Sequence, residues 1–187
     1  MITGADVVTE ARRHLGVRWR HQGRNLALSV DCIGYVGGVG VALGVPGAAE
    51  WLADARFTGY GRQPNSDMIY QACAEYLDPV TPKGAARLGD ILLMRFEEEP
   101  QHFAILSALD PPYMLHAYAQ TRRVVENRID ERWAARIVCA YACSMYGGSS
   151  AERMAKCCGS VSKRIRRISP SRAAPFGVTG VRYSAHA

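Results

Sequence analysis

Cys32 has the clearest chemical prospects in this sequence, because Val30-Asp31-Cys32-Ile33-Gly34-Tyr35-Val36 sets a thiol at the opening of an apolar, helix-spaced run. Asp31 is an N-cap type whose side-chain oxygen can take an orphan amide of the first turn, and Ile33, Val36, Val39 and Leu43 then recur at helical spacing up to Gly44. Cys32 is therefore expected at the first helical position, where the positive helix end favours thiolate and free amides can receive an oxyanion. A lone cysteine in an apolar helix is more often a small core hydrophobe, so the argument needs a base. His102 opens a predicted strand and His116 sits in the next, so an antiparallel hairpin puts both on one face, turned towards the helix of Cys32. Cysteine nucleophiles use such a histidine, distant in sequence, adjacent in the fold and held by a third polar group. His102 would take the thiol proton, and His116 would fix its tautomer while staying neutral beside it.

Positioning these side chains requires helices first and strands second. Thr3 with Asp6 three residues on reads as a helix start, with Val7, Val8, Ala11 and Leu15 on one face until Gly16. Residues 17–29, with Trp19 and His21, show no clear period and are expected as a loop lining the cleft beside Cys32. The stretch 48–65 reads as irregular surface. Ser66 then caps a helix whose stripe of Met68, Ile69, Ala72, Cys73, Tyr76 and Leu77 buries Cys73 as an inert thiol. Beyond Asp78-Pro79 the punctuation is that of strands, expected over 91–96, 102–107, 113–118, 123–126 and 136–141. Helices followed by an antiparallel meander predict an α+β fold.

With 187 residues, 48% of them hydrophobic and 21% charged, the chain suffices for one well-buried domain and an extension. Its formal net charge of +6 is unevenly spread: residues 147–187 hold eight basic side chains against Glu152 alone, whereas 1–146 hold 15 basic and 16 acidic. The expected division is a near-neutral domain, 1–146, and a basic, flexible extension, 147–187, which alone has the charge for a nucleic-acid partner. The six cysteines are irregularly spaced and need no disulfide framework. Cys139, Cys143, Cys157 and Cys158 lack paired C-x2-C knuckles, so no metal site is expected. The N-terminal stretch has acidic residues and no long apolar run, so neither a signal peptide nor a membrane span is expected and the chain reads as a soluble, cytoplasmically made product.

Four blocks carry a family resemblance: Asp31-Cys32-x-Gly34-Tyr35; Leu88-Gly89-Asp90-Ile91-Leu92; His102-Phe103-Ala104-Ile105-Leu106; and Met114-Leu115-His116-Ala117 with Val124-Val125 after it. Together they resemble the NlpC/P60 family of cell-wall cysteine peptidases, where these blocks read DCSG, a GD-plus-strand block, HVGI and an IHA segment. The likeness covers about residues 5–142 and looks closest to peptidases encoded among tail genes of phages and gene transfer agents. It implies a papain-like fold, with the cysteine helix packed on an antiparallel sheet. It implies a Cys-His-His triad of nucleophile Cys32, base His102 and orienting His116, with Asp31, Trp19 and His21 around the oxyanion and cleft, and no metal or organic cofactor. The implied substrate is the peptidoglycan stem peptide, cut between D-glutamate and the next diamino acid. The implied partners are tail or baseplate proteins of a phage-like particle, which would deliver the enzyme to the wall.

Two departures bear on rate and substrate fit. Gly16-Val17-Arg18-Trp19 stands where the family usually shows G-x-P-Y, so an indole N–H replaces a tyrosine hydroxyl near the oxyanion, and Ile33 replaces the usual serine after the cysteine. Two rival readings share the fold: a non-catalytic tail-assembly module, and a cell-wall amidase or acyltransferase.

Overall fold

Thr3 and Asp6 form the expected capping box: Thr3 Oγ1 accepts the Asp6 amide, and the Asp6 carboxylate accepts the Thr3 amide, opening α1 (Gly4–Arg12). In the computed structural model, which describes residues 2–61, 65–80 and 86–142, Val7, Val8 and Ala11 of α1 are buried. Leu15 departs from the expected face, because the helix has ended before it and it is exposed. Residues 17–29 are not a plain loop. They hold two two-residue strands, β1 (Arg18–Trp19) and β2 (Arg24–Asn25), and the start of a third, β3 (Ser29–Val30), all too short to print a period on the sequence.

The helix of Cys32, α2 (Cys32–Ala42), is capped by Asp31, whose side chain accepts the Gly34 amide. Every residue from Cys32 to Gly40 is buried. Gly34 is required by close approach: a Cβ there would lie 2.0 Å from the Gly23 carbonyl oxygen, so only glycine lets this first turn lie against the chain leading into it. The region 48–65 also departs from its reading as irregular surface. It holds α3 (Ala48–Ala53) and a 3-10 turn (Ala55–Phe57), which bury Trp51 against Phe57 at 4.5 Å between ring centroids. Next comes α4 (Ser66–Tyr76), capped by Asn65 rather than Ser66, with Cys73 fully buried as expected.

The strands that follow are β4 (Asp78–Pro79), β5 (Ile91–Arg95), β6 (Pro100–Leu109), β7 (Pro112–Tyr118) and β8 (Arg123–Arg128), then the short α5 (Glu131–Ala134) and β9 (Ile137–Ala142). They join one sheet in the order β2-β3-β1-β8-β7-β6-β5-β9-β4. From β5 to β8 it is the expected antiparallel meander, and the parallel pairing of β1 with β3 makes the whole sheet mixed. Both faces are covered, which is why β5 to β7 read as apolar runs rather than alternations. Ile91, Leu93, Phe103, Ile105, Leu115 and Ala117 pack with α1, α2 and α4. Leu92, Met94, Ala104, Leu106 and Met114 form a second core with Ile129 and Trp133. The class is α+β. The expected extension 147–187, its boundary at residue 146, and Cys143, Cys157 and Cys158 lie outside the described residues.

Candidate active site

Asp31 and Cys32 are adjacent in sequence but are held very differently. Asp31, 2% exposed, is saturated: its Oδ1 accepts the Gly34 amide at 2.8 Å and Arg24 Nη1 at 2.6 Å, and its Oδ2 accepts the Gln22 amide at 2.8 Å and the Tyr60 hydroxyl at 2.5 Å. This one carboxylate thus caps α2 and ties it to the 20–24 turn and to Tyr60. Cys32 occupies the first helical position, as expected, and the Phe103 and Ile33 amides donate towards its sulfur. The expected thiolate is not favoured. Burial, and then the neighbouring Asp31 carboxylate, push the thiol up to about 12, outweighing the amides and the Arg24 charge. The resting sulfur is therefore protonated at neutral pH.

Cys32 and His102 line one cavity of about 750 Å³, together with Trp19, His21, Asp31 and Tyr60. The Phe103 amide that reaches the sulfur belongs to the residue after His102, so β6 carries the imidazole past the N-terminal end of α2. The two histidines share a sheet face, as the hairpin predicted. That face is not the one packed on α2: Phe103 and Ala117 point to the helices, so His102 and His116 alternate to the opposite side, beside Trp133. Gln101 with His102 and Ala117 with Tyr118 all line the cavity, which places it at the strand ends, where both faces are within reach.

The histidines form a directed chain. His116 Nε2 lies 2.9 Å from Asn127 Oδ1, and His102 Nε2 lies 2.8 Å from His116 Nδ1. With the amide oxygen assigned as the acceptor, His116 carries its proton on Nε2, so its Nδ1 accepts from His102 Nε2–H. The lone pair of His102 is then on Nδ1. Burial, reinforced by His116, holds His102 well below the ordinary imidazole range. Burial also lowers His116, against the Asn127 bond that raises it. Aromatic rings enclose the pair: Phe96 lies 5.1 Å from His102, and Tyr118 and Trp133 lie 5.0 and 5.3 Å from His116, between centroids.

Trp19 and His21 line the cavity as expected, and His21 Nε2 lies 3.2 Å from the Tyr60 carbonyl oxygen. Three members were not read from the sequence. Asn127 belongs to a strand whose pairing could have exposed it, since Val125 opposes His116 and Asn127 is the diagonal neighbour. Arg24 and Tyr60 lay in stretches taken for loop and surface.

No family model and no curated protein matches this sequence. Solved structures do match its fold. An NlpC/P60 family protein from Bacillus cereus aligns over 75% of this chain and 40% of its own, at 14% identity and a TM-score of 0.54. The chain has the NlpC/P60 fold. NlpC1 from Trichomonas vaginalis aligns over 78% of this chain and 45% of its own, at 10% identity and TM-score 0.52. The NlpC/p60 domain of the peptidoglycan hydrolase SagA aligns over 75% of this chain and 99% of its own, at 20% identity and TM-score 0.49. The chain thus spans under half the length of the first two of these structures.

Proposed function

We propose that the protein is a cysteine endopeptidase of peptidoglycan, cutting the stem peptide between D-glutamate and the following diamino acid, and that it acts in the tail of a phage-like particle that must breach a cell wall. The observation that carries the enzymatic part is the directed chain Asn127–His116–His102, ending in a base in the cavity that holds Cys32 at a helix N-terminus. The sequence blocks shared with cell-wall peptidases support the substrate, and their likeness to tail-encoded members supports the location.

In the proposed reaction the Cys32 thiol gives its proton to His102 Nδ1 as sulfur attacks the amide carbon. The oxyanion faces the Cys32 amide at the α2 end, with the Trp19 indole N–H as a further donor at the cavity wall. His102 then protonates the leaving amine, and the C–N bond breaks to leave a thioester on Cys32. Water, deprotonated by His102, attacks that thioester, and the sulfur leaves with the proton. Because both imidazoles rest neutral, the base is ready near neutral pH without prior deprotonation.

Digestion of purified sacculi with the full chain, and mass spectrometry of the new termini, tests the reading. New amine termini on the diamino acid, absent with Cys32→Ala, are expected. Termini elsewhere in the stem would move the scissile bond, and none at all would remove the peptidase assignment. Antibody labelling in electron microscopy should place the protein at the tail tip; particles without it would refute the location.

A further inference from the structure

On the sheet face that carries His102 and His116, register aligns three residues across neighbouring strands: Tyr118 of β7 opposes Arg123 of β8, and Arg123 opposes Arg18 of β1. Directly opposed residues point to the same side of a sheet, so the row leads from Tyr118, at the cavity wall, to two guanidinium groups. Arg18 and Arg123 are both exposed, and among the described residues neither enters an ion pair with an acidic side chain. Like charges placed directly opposite on antiparallel strands repel. The pairing makes sense when an anion lies across it, since a guanidinium fork matches a carboxylate in geometry as well as charge.

From this row we infer that Arg18 and Arg123 form an anion subsite for the free carboxylates of the peptide cleaved at Cys32, an inference that rests on the peptidase reading above. Strand spacing sets its reach. Arg123 is about 5 Å and Arg18 about 10 Å from Tyr118 across the sheet, the span of roughly three extended peptide residues. Stem peptides joined by an isopeptide bond carry free α-carboxylates beside that bond, unlike ordinary polypeptide. The row thus selects for substrates whose side of the cut bears carboxylate rather than carboxamide.

Two synthetic stem-peptide fragments, identical except that the carboxylates flanking the scissile bond are free in one and amidated in the other, test this with the full chain. The expected result is a preference in kcat/KM for the free acid that shrinks about tenfold in Arg18→Gln/Arg123→Gln and weakens with added salt. A preference equal in the wild type and the double variant overturns the subsite. Binding of both fragments to Cys32→Ser, by calorimetry, separates the two claims. Arginine-dependent binding of the acid without cleavage by the wild type keeps the subsite and removes the peptidase reading. Cleavage of both fragments at equal efficiency keeps the peptidase and removes the subsite. The melting temperature of the double variant should not fall, because a repulsive pair has been removed; a variant that unfolds is replaced by Arg123→Lys, which keeps charge but loses the fork and should retain part of the preference.

Discussion

The two sides of the candidate active site are built on opposite electrostatic plans. On the nucleophile side, Asp31 is a buried carboxylate answered by a guanidinium, a phenol and two backbone amides. On the base side the His102–His116–Asn127 chain carries no charge and is wrapped in Phe96, Tyr118 and Trp133. Cys32 adjoins Asp31 and shares the cavity with His102, and it inherits the disadvantage of each: it is next to an anion, and the imidazole that could stabilise a thiolate is itself held neutral. The contrast teaches that a cysteine at a helix N-terminus is not a thiolate by position alone. Here the charged network fixes the helix end, and the neutral chain fixes a lone pair. In the proposed reaction, attack waits for a substrate that can accept the sulfur as the proton leaves.

The largest expected effects break the chemistry at the meeting point. Cys32→Ala and His102→Ala should each lower stem-peptide hydrolysis by about 10³-fold or more, whereas His116→Ala should cost about 10²-fold, since an orienting group is partly replaceable. Equal severity of the two histidine variants in steady-state kinetics would show that the roles are misassigned. Asn127 offers a finer cut on the same side. Asn127→Ala should cost about tenfold, and Asn127→Asp should raise the His116 pKa, because a carboxylate favours the imidazolium. His116 charged beside His102 makes His102 a poorer base, so the acid limb of the pH–rate profile should move to higher pH. An unmoved limb would mean that Asn127 does not set the tautomer.

The nucleophile side should show its character in stability. Asp31→Asn leaves the Arg24 guanidinium, largely buried, without its counter-charge and turns the oxygen that accepts the Gln22 amide into a donor, so a loss of about 2–3 kcal/mol in urea unfolding is expected. A loss below about 0.5 kcal/mol would show the network to be ornamental. The base side should respond to acid instead. His102 and His116 have folded pKa values below the unfolded value of about 6.5, so the unfolded chain binds more protons and stability is lost as the pH falls below that point. Each histidine adds a slope approaching about 1.4 kcal/mol per pH unit between its two values. Urea midpoints at pH 7 and pH 5 should diverge in the wild type, and less so in His102→Gln/His116→Gln.

What was legible in the sequence follows from the length over which each signal repeats. The α2 helix, its Asp31 cap and the β5 to β8 meander announce themselves through caps and apolar runs several residues long, and the candidate site proposed on them was built from Cys32, His102 and His116. The two-residue strands around Trp19 and the short helix bearing Trp51 repeat too little to leave a pattern. The direction of the Cys32 shift was read wrongly because a helix end is visible in sequence while burial is not. Asn127 lay one residue beyond the strand expected over 123–126, and Tyr60 joins the site through a loop-to-helix contact that spacing along the chain does not encode.

The claim that the resting sulfur is a neutral thiol beside a neutral imidazole is tested most directly by the pH dependence of its alkylation. The full chain is treated with iodoacetamide from pH 4 to pH 10, and the Cys32 adduct is followed by peptide mass spectrometry. With the thiol pushed up to about 12, the rate should climb continuously through the alkaline range and be lowest in acid. A pH-independent plateau of fast labelling between pH 4 and pH 8 would reveal a standing thiolate–imidazolium pair and contradict the account.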